Sequence, residues 1–509
     1  MCDTLRMLLQ NLDEDTQRVI HTAPPVNKSA PAPVGRLVTS NPAALLSREG
    51  AMAWALSEVG ESELGHRARV KRAVQVASAF VQSPSSSIPK ACGEWKSTKA
   101  AYRFLSNREV FHDALLGGHV KRTAQRCLEH SVVLAVQDTT SLNFSGHRDG
   151  LGPVGDDWQG HGIFLHTTLA ISCETLEVLG ILAQHAWVRS AQKKPPKESS
   201  RDRRKRRRES EHWADGQRRV AEALQGQAPK PRVIGVFDRE GDIFDAMEEM
   251  DRLGHSFVIR ATRNRLLDDS NTAPDGERRY LLDEVKRAPV ITHKTVDVPA
   301  RAGRPGRTAV LQVRAMLAKI KPPKSRSRQG SPLELNIILA LEINAPANIE
   351  PLCWYLVTRE PIHSENAVLE VIRCYQARWL IEEFHKGLKT GCASEDRQLE
   401  TAHALMNFLA IASVVAWQLL ALRDAARNPK PILATAILSP LRLTVLNALK
   451  PRAVPPNATA RDALRAIAKM GGFIGRKSDG EPGWLTLWRG FEKLLVAEMG
   501  YLAAKKENG

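Results

Sequence analysis

The hydrophobic pattern of the chain changes several times between residue 50 and the C-terminus. Residues 132–136 and 233–237 are apolar at consecutive positions, which is typical of central strands covered by helices on both faces. The runs around them predict a hairpin of residues 164–171 and 176–186, helices at 213–224 and 243–252, and strands at 257–260 and 354–358. Three strands followed by helix, strand, helix and strand predict an α/β fold.

The segments on either side of this α/β part have different patterns. Residues 51–118 are helical in pattern and basic, residues 289–345 alternate as strands do, and residues 402–420 predict an apolar helix. The first 44 residues are rich in Pro, Ala, Ser and Thr and predict a flexible leader. The predicted domains are a leader at 1–50, an N-terminal helical domain at 51–118, an α/β core at 119–400 with a β-rich insertion at about 289–345, and a C-terminal helical domain at 401–509.

The segment from about 366 to 390 predicts a helix with two distinct sides. At about 100° per residue, four positions fall within an arc of roughly 60°. They are Tyr375, Arg378, Glu382 and Lys389, and the apolar residues of the opposite side are Leu380, Ile381, Phe384 and Leu388. We expect the helix to pack on its apolar side and to present a carboxylate flanked by cations on the other.

Asp138 and Asp238 each follow one of the two apolar strands. Because the C-terminal ends of central strands open onto one crevice, we expect both aspartates to lie there, with Glu382 joining them. Three converging carboxylates suit a pair of magnesium ions, since magnesium is a hard cation that prefers oxygen ligands. Taken singly, each aspartate is more typical of a turn residue that caps local amides, and Glu382 of a solvated helix residue.

Charge and composition indicate a partner and a compartment. The formal net charge of +17 and the pI near 9.7 indicate a polyanionic partner, with nucleic acid as the obvious candidate. No stretch approaches the roughly 18 apolar residues of a membrane span, and the first ten residues lack the layout of a signal peptide. We therefore expect a cytoplasmic, nucleoid-associated protein without a membrane partner.

The cysteines predict neither a zinc site nor a disulfide framework. The seven cysteines contain no C-x-x-C pair, and a cytosolic protein keeps its thiols reduced. We expect reduced and mostly packed thiols.

In their order along the chain, the motifs resemble the DDE-class cut-and-paste transposases of bacteria, specifically the family-four insertion sequences, which include the transposase of transposon five. The signature of that family is Tyr-x2-Arg-x3-Glu-x6-Lys. The other matching motifs are Asp138-Thr139-Thr140-Ser141, Val236-Phe237-Asp238-Arg239-Glu240, Arg378-Trp379, Ile381-Glu382-Glu383-Phe384-His385-Lys386, and Gly471-Gly472-Phe473 followed by Trp484 and Trp488. The resemblance extends from about residue 52 to the C-terminus.

The resemblance implies an RNase H-like catalytic core with a β-rich insertion, flanked by an N-terminal helical end-recognition domain and a C-terminal helical dimerisation domain. It implies a DNA transposase that hydrolyses the transposon end, forms and reopens a hairpin and joins the freed 3′-hydroxyl to target DNA. Asp138, Asp238 and Glu382 would be catalytic and would hold two Mg²⁺ ions, with Mn²⁺ as a substitute. The implied partners are double-stranded DNA with transposon end repeats, target DNA and a second copy of the chain in a DNA-bridged homodimer.

The resemblance also implies DNA contacts. Trp354 matches the position that stacks on a base, and Arg260, Tyr375 and Arg378 match residues that hold the hairpin phosphates. Lys386 and Lys389 match lysines near the scissile strand. Arg67, Arg69 and Arg72 fall in the region that binds the transposon ends. A strand-core aromatic is the competing interpretation of Trp354, and a solvated helix face is that of the N-terminal arginines.

Two other functions share much of this evidence. A catalytically silent or domesticated DNA-binding relative, acting as an inhibitor or regulator of transposition, would keep the basic surfaces and the C-terminal domain. A metal-dependent nuclease that cuts without joining would keep the same core. Three intact carboxylates favour an active enzyme, and the full set of hairpin positions favours a transposase over a nuclease.

Overall fold

In a computed structural model of the chain, the described residues run from 48 to 507, apart from 147, 156–157, 191–208, 269–277, 299–305, 324–329, 428–432, 451–453 and 477–478. The predicted leader up to residue 47 lies outside the described residues. So does the arginine-rich run at 201–208, for which the sequence predicts a loop.

Five helices precede the sheet in the described part of the chain. They are α1 Arg48–Val59, α2 Arg67–Gln82, α3 Ile88–Cys92, α4 Trp95–Leu105 and α5 His112–Cys127. Their apolar sides join the main hydrophobic core; for example, the rings of Phe80 and Phe408 meet edge to face with centroids 5.2 Å apart. The helical pattern predicted for residues 51–118 is confirmed.

One mixed sheet of ten strands occupies the centre of the described structure, and its order is β2-β3-β1-β5-β6-β10-β9-β8-β7, with β4 paired to β3. The strands are β1 Val132–Asn143, β2 Gly152–Val154, β3 Gly160–Ser172, β4 Val178–Trp187, β5 Arg232–Phe237, β6 Ser256–Arg260, β7 Val290–Val298, β8 Arg307–Ile320, β9 Leu333–Glu342 and β10 Cys353–Thr358. Strands β1, β5 and β6 are parallel, and the other pairs are antiparallel. The strands and the hairpin predicted in the α/β part are confirmed, and so is the α/β class.

Helices cover both faces of this sheet. The connecting helices α6 Glu211–Ala223, α7 Phe244–Arg252 and α8 Leu281–Arg287 lie between strands along the chain. Consecutive residues of one strand belong to different cores: Val236 contributes to the main core, whereas Phe237 contributes to a second core with Trp213 of α6. Burial on both faces explains why the residues of β5 after Arg232 carry no polar side chain.

The β-rich segment continues the main sheet. Strand β7 pairs with β8, β8 with β9, and β9 with β10, which in turn pairs with β6. Strands β7, β8 and β9 therefore extend the same sheet on the side of β6. This arrangement brings the chain from the end of β6 back to β10, which pairs with β6, itself the neighbour of β5.

The helix predicted from about 366 to 390 is not continuous. Helix α9 covers Glu365–Gln376, helix α10 covers Trp379–Lys386, and a π-turn covers Gly387–Gly391. Between α9 and α10 the amide of Arg378 bonds to the carbonyl of Tyr375, which is the tighter i to i+3 spacing. The junction and the π-turn each change the angular position of the residues after them. The prediction of one regular helix is therefore wrong, but the predicted apolar side is buried, and Arg378 still contacts Glu382 and lies near enough to Tyr375 for its charge to act there.

The long helix α11, Ala402–Arg427, is the buried centre of the C-terminal part. Its segment Ala402–Ala421 is long and apolar enough to cross a membrane, but 89% of its most apolar window is buried inside the protein. The expectation that no stretch has this composition is therefore wrong, and packing against other helices accounts for it. Helices α12 Pro440–Leu449, α13 Ala460–Met470 and α14 Trp484–Glu507 follow and share a third core.

Candidate active site

The two predicted aspartates lie on neighbouring parallel strands at the same height. The last directly paired residues of β1 and β5 are Val136 and Val236, and each aspartate comes two residues later. Adjacent strands are about 4.8 Å apart. Asp138 and Asp238 therefore lie side by side where the parallel pairing ends.

The two strands differ beyond this point. Strand β5 ends at Phe237, and Asp238 caps a short 3₁₀ turn, Arg239–Gly241. Strand β1 continues to Asn143 because its antiparallel pairing with β3 persists, and Asp138 is opposite Thr167. The expectation that Asp138 ends its strand is therefore wrong, because the sequence does not reveal how far the second partner extends the strand.

Each aspartate also caps a local amide. Asp138 Oδ1 accepts a hydrogen bond from the backbone N–H of Thr139 at 2.8 Å, and Asp238 Oδ1 accepts one from Glu240 at 2.8 Å. The capping role weighed for these residues is thus real. It engages one oxygen of each carboxylate and fixes the orientation of the group without neutralising its charge.

Arg378 links Asp138 to Glu382. Its guanidinium donates to Glu382 Oε1, and its Nη1 lies 3.9 Å from Asp138 Oδ2. The side chain of Glu382 is 45% exposed, whereas that of Asp138 is 16% exposed. The structure therefore gathers the two carboxylates, from β1 and α10, around one cation.

The surroundings of Asp138 disfavour the ionised form of its carboxyl group. Burial raises the pKa of Asp138 to about 7, and the negative charges of Asp238 and Glu240 act in the same direction. The Thr139 amide and the Arg378 guanidinium only partly oppose these effects. Asp138 thus senses both carboxylates at the end of β5, and a bound cation would favour its ionised form.

The predicted hairpin-binding residues form a second group beside the first. The rings of Trp354 and Tyr375 meet edge to face with centroids 5.7 Å apart, and Arg260 Nη2 donates to the carbonyl of Cys353 at 3.0 Å. Burial raises the pKa of Tyr375, while the charges of Arg260 and Arg378 oppose that rise. Tyr375 is a buried residue of the core, and Trp354 is half-buried, so both interpretations of Trp354 describe part of its environment.

The two predicted lysines point in different directions. Lys386 Nζ lies 2.9 Å from Glu383 Oε1, on the side of α10 that faces the C-terminal helices. Lys389, in the π-turn, lies 4.0 Å from Glu395, and its charge helps to lower the pKa of His385. Of these two lysines, only Lys389 is linked to the carboxylate group, because its charge acts on His385, which lies beside Asp138.

Two residues of this site were not assigned a role from the sequence. His385 Nδ1 lies 3.9 Å from Asp138 Oδ2, and burial, with the charges of Lys389 and Arg378, lowers the pKa of His385 to about 3. His385 is thus a neutral neighbour of Asp138. Glu240 contributes its charge from the turn after Asp238. The sequence signals that could have identified them are their positions, since His385 lies three residues after Glu382 and Glu240 lies two residues after Asp238.

The residues present fit divalent metal ions. All three donors are carboxylates, which are the ligands that Mg²⁺ prefers. The pKa of Asp138 is raised by burial first and then by the negative charges of Asp238 and Glu240, and a bound cation would favour the ionised form. Glu382 is exposed enough to reorient from Arg378 towards an ion.

Comparison with protein families adds two matches. Residues 51–110 match the model described as Transposase DNA-binding, and residues 414–508 match the model described as Transposase Tn5 dimerisation domain. Both matches support a Tn5-like transposase. They also support DNA binding and homodimer formation.

Among solved structures, the chain is similar to one in a cryo-EM structure of the piggyBac transposase synaptic complex with hairpin DNA. The sequence identity is 8%, the TM-score is 0.32, and the match covers 92% of this chain and 81% of that one. A TM-score of this size does not establish a common fold.

The residues that match the DNA-binding model include the three predicted N-terminal arginines, which lie in the first two turns of helix α2. Arg69 Nη1 donates to the carbonyl of Leu64 at 3.0 Å, and its Nη2 lies 3.8 Å from Glu109. Burial raises the pKa of Cys92, and the nearby charge of Arg72 opposes that rise. These contacts of Arg69 and Arg72 are within the N-terminal helices, and the structure does not link them to the carboxylates.

The residues that match the dimerisation model pack directly against the helix that bears Glu382. Trp484 Nε1 donates to Glu383 Oε2 at 3.3 Å, and the guanidinium of Arg423 contacts the same carboxylate. The rings of Trp484 and Trp488 stack with centroids 6.1 Å apart. The two C-terminal tryptophans singled out in the sequence thus serve to hold the C-terminal helices on α10.

Proposed function

We propose that the protein is a metal-dependent DNA transposase of the family-four insertion-sequence type. It would cut its element at the ends through a hairpin and join the freed 3′-hydroxyl to target DNA. The observation that carries this proposal is the grouping of Asp138 and Glu382 around Arg378, with Asp238 near enough for its charge to raise the pKa of Asp138, in a chain that matches a transposase DNA-binding model and a transposase dimerisation model.

The proposed organisation follows from this function. Residues 119–400 would be an RNase H-like catalytic core, with the strands of 289–345 as its insertion, residues 51–118 an end-recognition domain, and residues 401–509 a dimerisation domain. The parallel β1 and β5, with an aspartate at the same height on each, support the core assignment. We also propose that the protein acts in the cytoplasm on nucleoid DNA.

Asp138, Asp238 and Glu382 would hold two Mg²⁺ ions. When bound, the ions would lower the pKa of the attacking water or 3′-hydroxyl and stabilise the leaving oxygen. The amides of Thr139 and Glu240 orient the two aspartates, and His385, neutral and buried, fills the space beside Asp138. Arg378 compensates the carboxylates in the protein alone and would turn to a DNA phosphate once they hold cations.

The second group of residues would hold the distorted DNA. Arg260 and Arg378 both lie close enough to Tyr375 for their charges to act on its hydroxyl, and they would bind the hairpin phosphates. Trp354 would stack on a base that the tight hairpin forces out of the helix. Lys389 would contact the scissile strand, and Lys386 would do so after leaving Glu383.

The experiment uses DNA from the flanks of the coding gene that carries the terminal inverted repeats. We expect Asp138→Ala, Asp238→Ala and Glu382→Ala each to abolish Mg²⁺-dependent cleavage while leaving binding to the repeats in a gel-shift assay largely unchanged. The matched control is Glu334→Ala, which removes an exposed carboxylate from β9 and should cut normally.

Cleavage that survives in any of the three variants would refute the site assignment. Normal end binding by the wild-type protein without any cleavage would instead favour the silent, regulatory relative. Cleavage without joining to target DNA would favour a nuclease.

A further inference from the structure

A cluster of two cysteines and one glutamate joins the turn after β3 to helix α9. Cys173 Sγ lies 3.7 Å from Cys374 Sγ and 3.7 Å from Glu370 Oε1. One ligand atom from each of the three residues lies within 4.8 Å of the other two. Both cysteines are buried, whereas the Glu370 side chain is 49% exposed, so the cluster opens to solvent on one side.

The spacing of these atoms matches a tetrahedral metal site. With Zn–S bonds of about 2.3 Å, two sulfurs of a tetrahedron are about 3.8 Å apart, and a sulfur and a carboxylate oxygen about 3.5 Å. Reduced thiols need no such arrangement to pack. The Sγ atoms of Cys173 and Cys374 and Oε1 of Glu370 thus lie close to the positions that the ligands of one ion would occupy, so binding requires no movement of the backbone.

The charge around the cluster is also suitable. Two thiolates and one carboxylate with a divalent cation leave a net charge of −1, and Arg373 supplies the opposite charge. Its Nε donates to Glu370 Oε2 at 2.8 Å, and its Nη2 contacts Oε1 of the same residue and the carbonyl of Cys173. Binding of an ion to Oε1 would replace one of these bonds and keep the bond to Oε2.

The cluster is separate from the carboxylate site. The amide of Cys173 bonds to the carbonyl of Val132, at the start of β1. From Val132 to Asp138 the strand advances six residues at about 3.3 Å each, or roughly 20 Å. The cluster therefore lies at the start of β1, well away from Asp138, and it adjoins α9, the helix that leads to Arg378 and Glu382.

We propose that Cys173, Glu370 and Cys374 bind one thiophilic divalent cation, Zn²⁺, with water as the fourth ligand. The ion would link α9 to the turn between β3 and β4. Binding displaces one proton from each thiol as the two Zn–S bonds form, and no oxidation takes place. This site revises the expectation of thiols that only pack, because the fold brings together two cysteines that are far apart in the sequence.

The test uses the full-length reduced protein, stripped of metal with a chelator and then titrated with Zn²⁺ or with Co²⁺ as a spectroscopic probe. We expect one equivalent of Zn²⁺ bound in competition with a chromophoric chelator, a sulfur-to-cobalt charge-transfer band, and a higher melting temperature with Zn²⁺. Cys173→Ser and Cys374→Ser should each lose the stoichiometric ion and weaken the band. Glu370→Gln, at an exposed position, should fold normally and bind Zn²⁺ at least about tenfold more weakly.

The matched control is Cys92→Ser, which removes a half-buried thiol outside the cluster and should leave binding unchanged. Absence of the charge-transfer band, or Zn²⁺ binding that all three cluster variants retain, would overturn the proposal. So would a disulfide between Cys173 and Cys374, detected by peptide mass spectrometry in the protein isolated under reducing conditions. None of these readouts requires DNA cleavage, so the two proposals can fail independently.

Discussion

Arg378 Nη1 lies 3.9 Å from Asp138 Oδ2, so a guanidinium at the start of α10 is the cation nearest to a carboxylate buried in β1. The contact is too long for a hydrogen bond and leaves Asp138 incompletely compensated. The same guanidinium holds Glu382. In the metal-free protein, the single guanidinium of Arg378 therefore compensates both Asp138 and Glu382. The group would need more positive charge for its carboxylates to be fully ionised, and this has a measurable consequence.

Replacing Asp138 by Asn should stabilise the metal-free protein at alkaline pH. The pKa of Asp138 is raised from 3.8 to about 7 in the folded state, so the folded protein holds a proton that the unfolded chain has lost between these values. Stability is therefore greatest below the lower value and falls as the pH rises to about 7. The amide escapes this loss, and we expect the free energy of unfolding of Asp138→Asn to exceed that of the wild type by about 2 to 4 kcal/mol at about pH 8.

Urea denaturation in a chelator, repeated at several pH values, measures this difference, which should become small at about pH 4. Mg²⁺ should stabilise the wild type at about pH 8 more than it stabilises the variant. A difference that does not change with pH would contradict the assigned cause of the pKa shift.

Trp354→Ala should impair hairpin formation more than the first nick, because only the hairpin forces a base out of the stack. Each step can be followed with end-labelled DNA on denaturing gels. Trp354→Phe keeps an aromatic face and the edge-to-face contact with Tyr375, and it should retain most of the activity. Equal loss at both steps in the alanine variant, with a lower melting temperature, would instead assign Trp354 to the strand core.

Glu58→Ala should destabilise the protein by about 3 to 5 kcal/mol, because it leaves the charge of Arg126 buried without a partner. Arg126 Nη1 lies 2.9 Å from Glu58 Oε1, and His119 Nδ1 lies 2.6 Å from Oε2. Burial raises the pKa of Glu58, but the charge of Arg126 and the hydrogen bond of His119 outweigh it and lower the pKa to about 2.

Urea denaturation at neutral pH gives the loss. Glu63→Ala is the matched control: Glu63 also bonds to a cation, Lys121, but its side chain is 82% exposed, and the change should stay within about 0.5 kcal/mol. Similar effects of the two substitutions would mean that the buried pair is not the stabilising element.

Met499→Lys should weaken the proposed dimer that bridges two DNA ends. Val496, Met499 and Leu502 form an exposed apolar row at spacings of three on α14, within the residues that match the dimerisation model, and Met499 is 72% exposed. Sedimentation of the protein with end-repeat DNA gives the stoichiometry. Leu317→Lys, an equally exposed apolar site on β8 outside that match, is the control and should still form the dimeric complex. A dimer unaffected by Met499→Lys would exclude this face.

The local pattern of the sequence was sufficient for the elements of the fold. Apolar runs predicted β1 and β5, and the turn at 173–175 predicted the β3–β4 hairpin. These predictions succeed because the spacing of apolar residues along a strand indicates whether one or both of its faces are buried. The strand order and the extension of the sheet by β7–β9 were not readable, since pairing between distant segments leaves no periodic signal. The burial of α11 was hidden for the same reason, and its composition alone is that of a membrane span.

At the site, the sequence supplied the residue types, the motifs and their order, whereas the tertiary structure decided which atoms meet. It placed Asp138 in mid-strand, because β3 prolongs β1 after β5 has ended. It brought Arg378, which bonds to Glu382 one helical turn later, to Asp138, because α10 packs against β1. It also brought Cys173 to Cys374. Contacts between segments far apart in the chain depend on the packing of the whole sheet and its helices, and no short stretch of sequence encodes them.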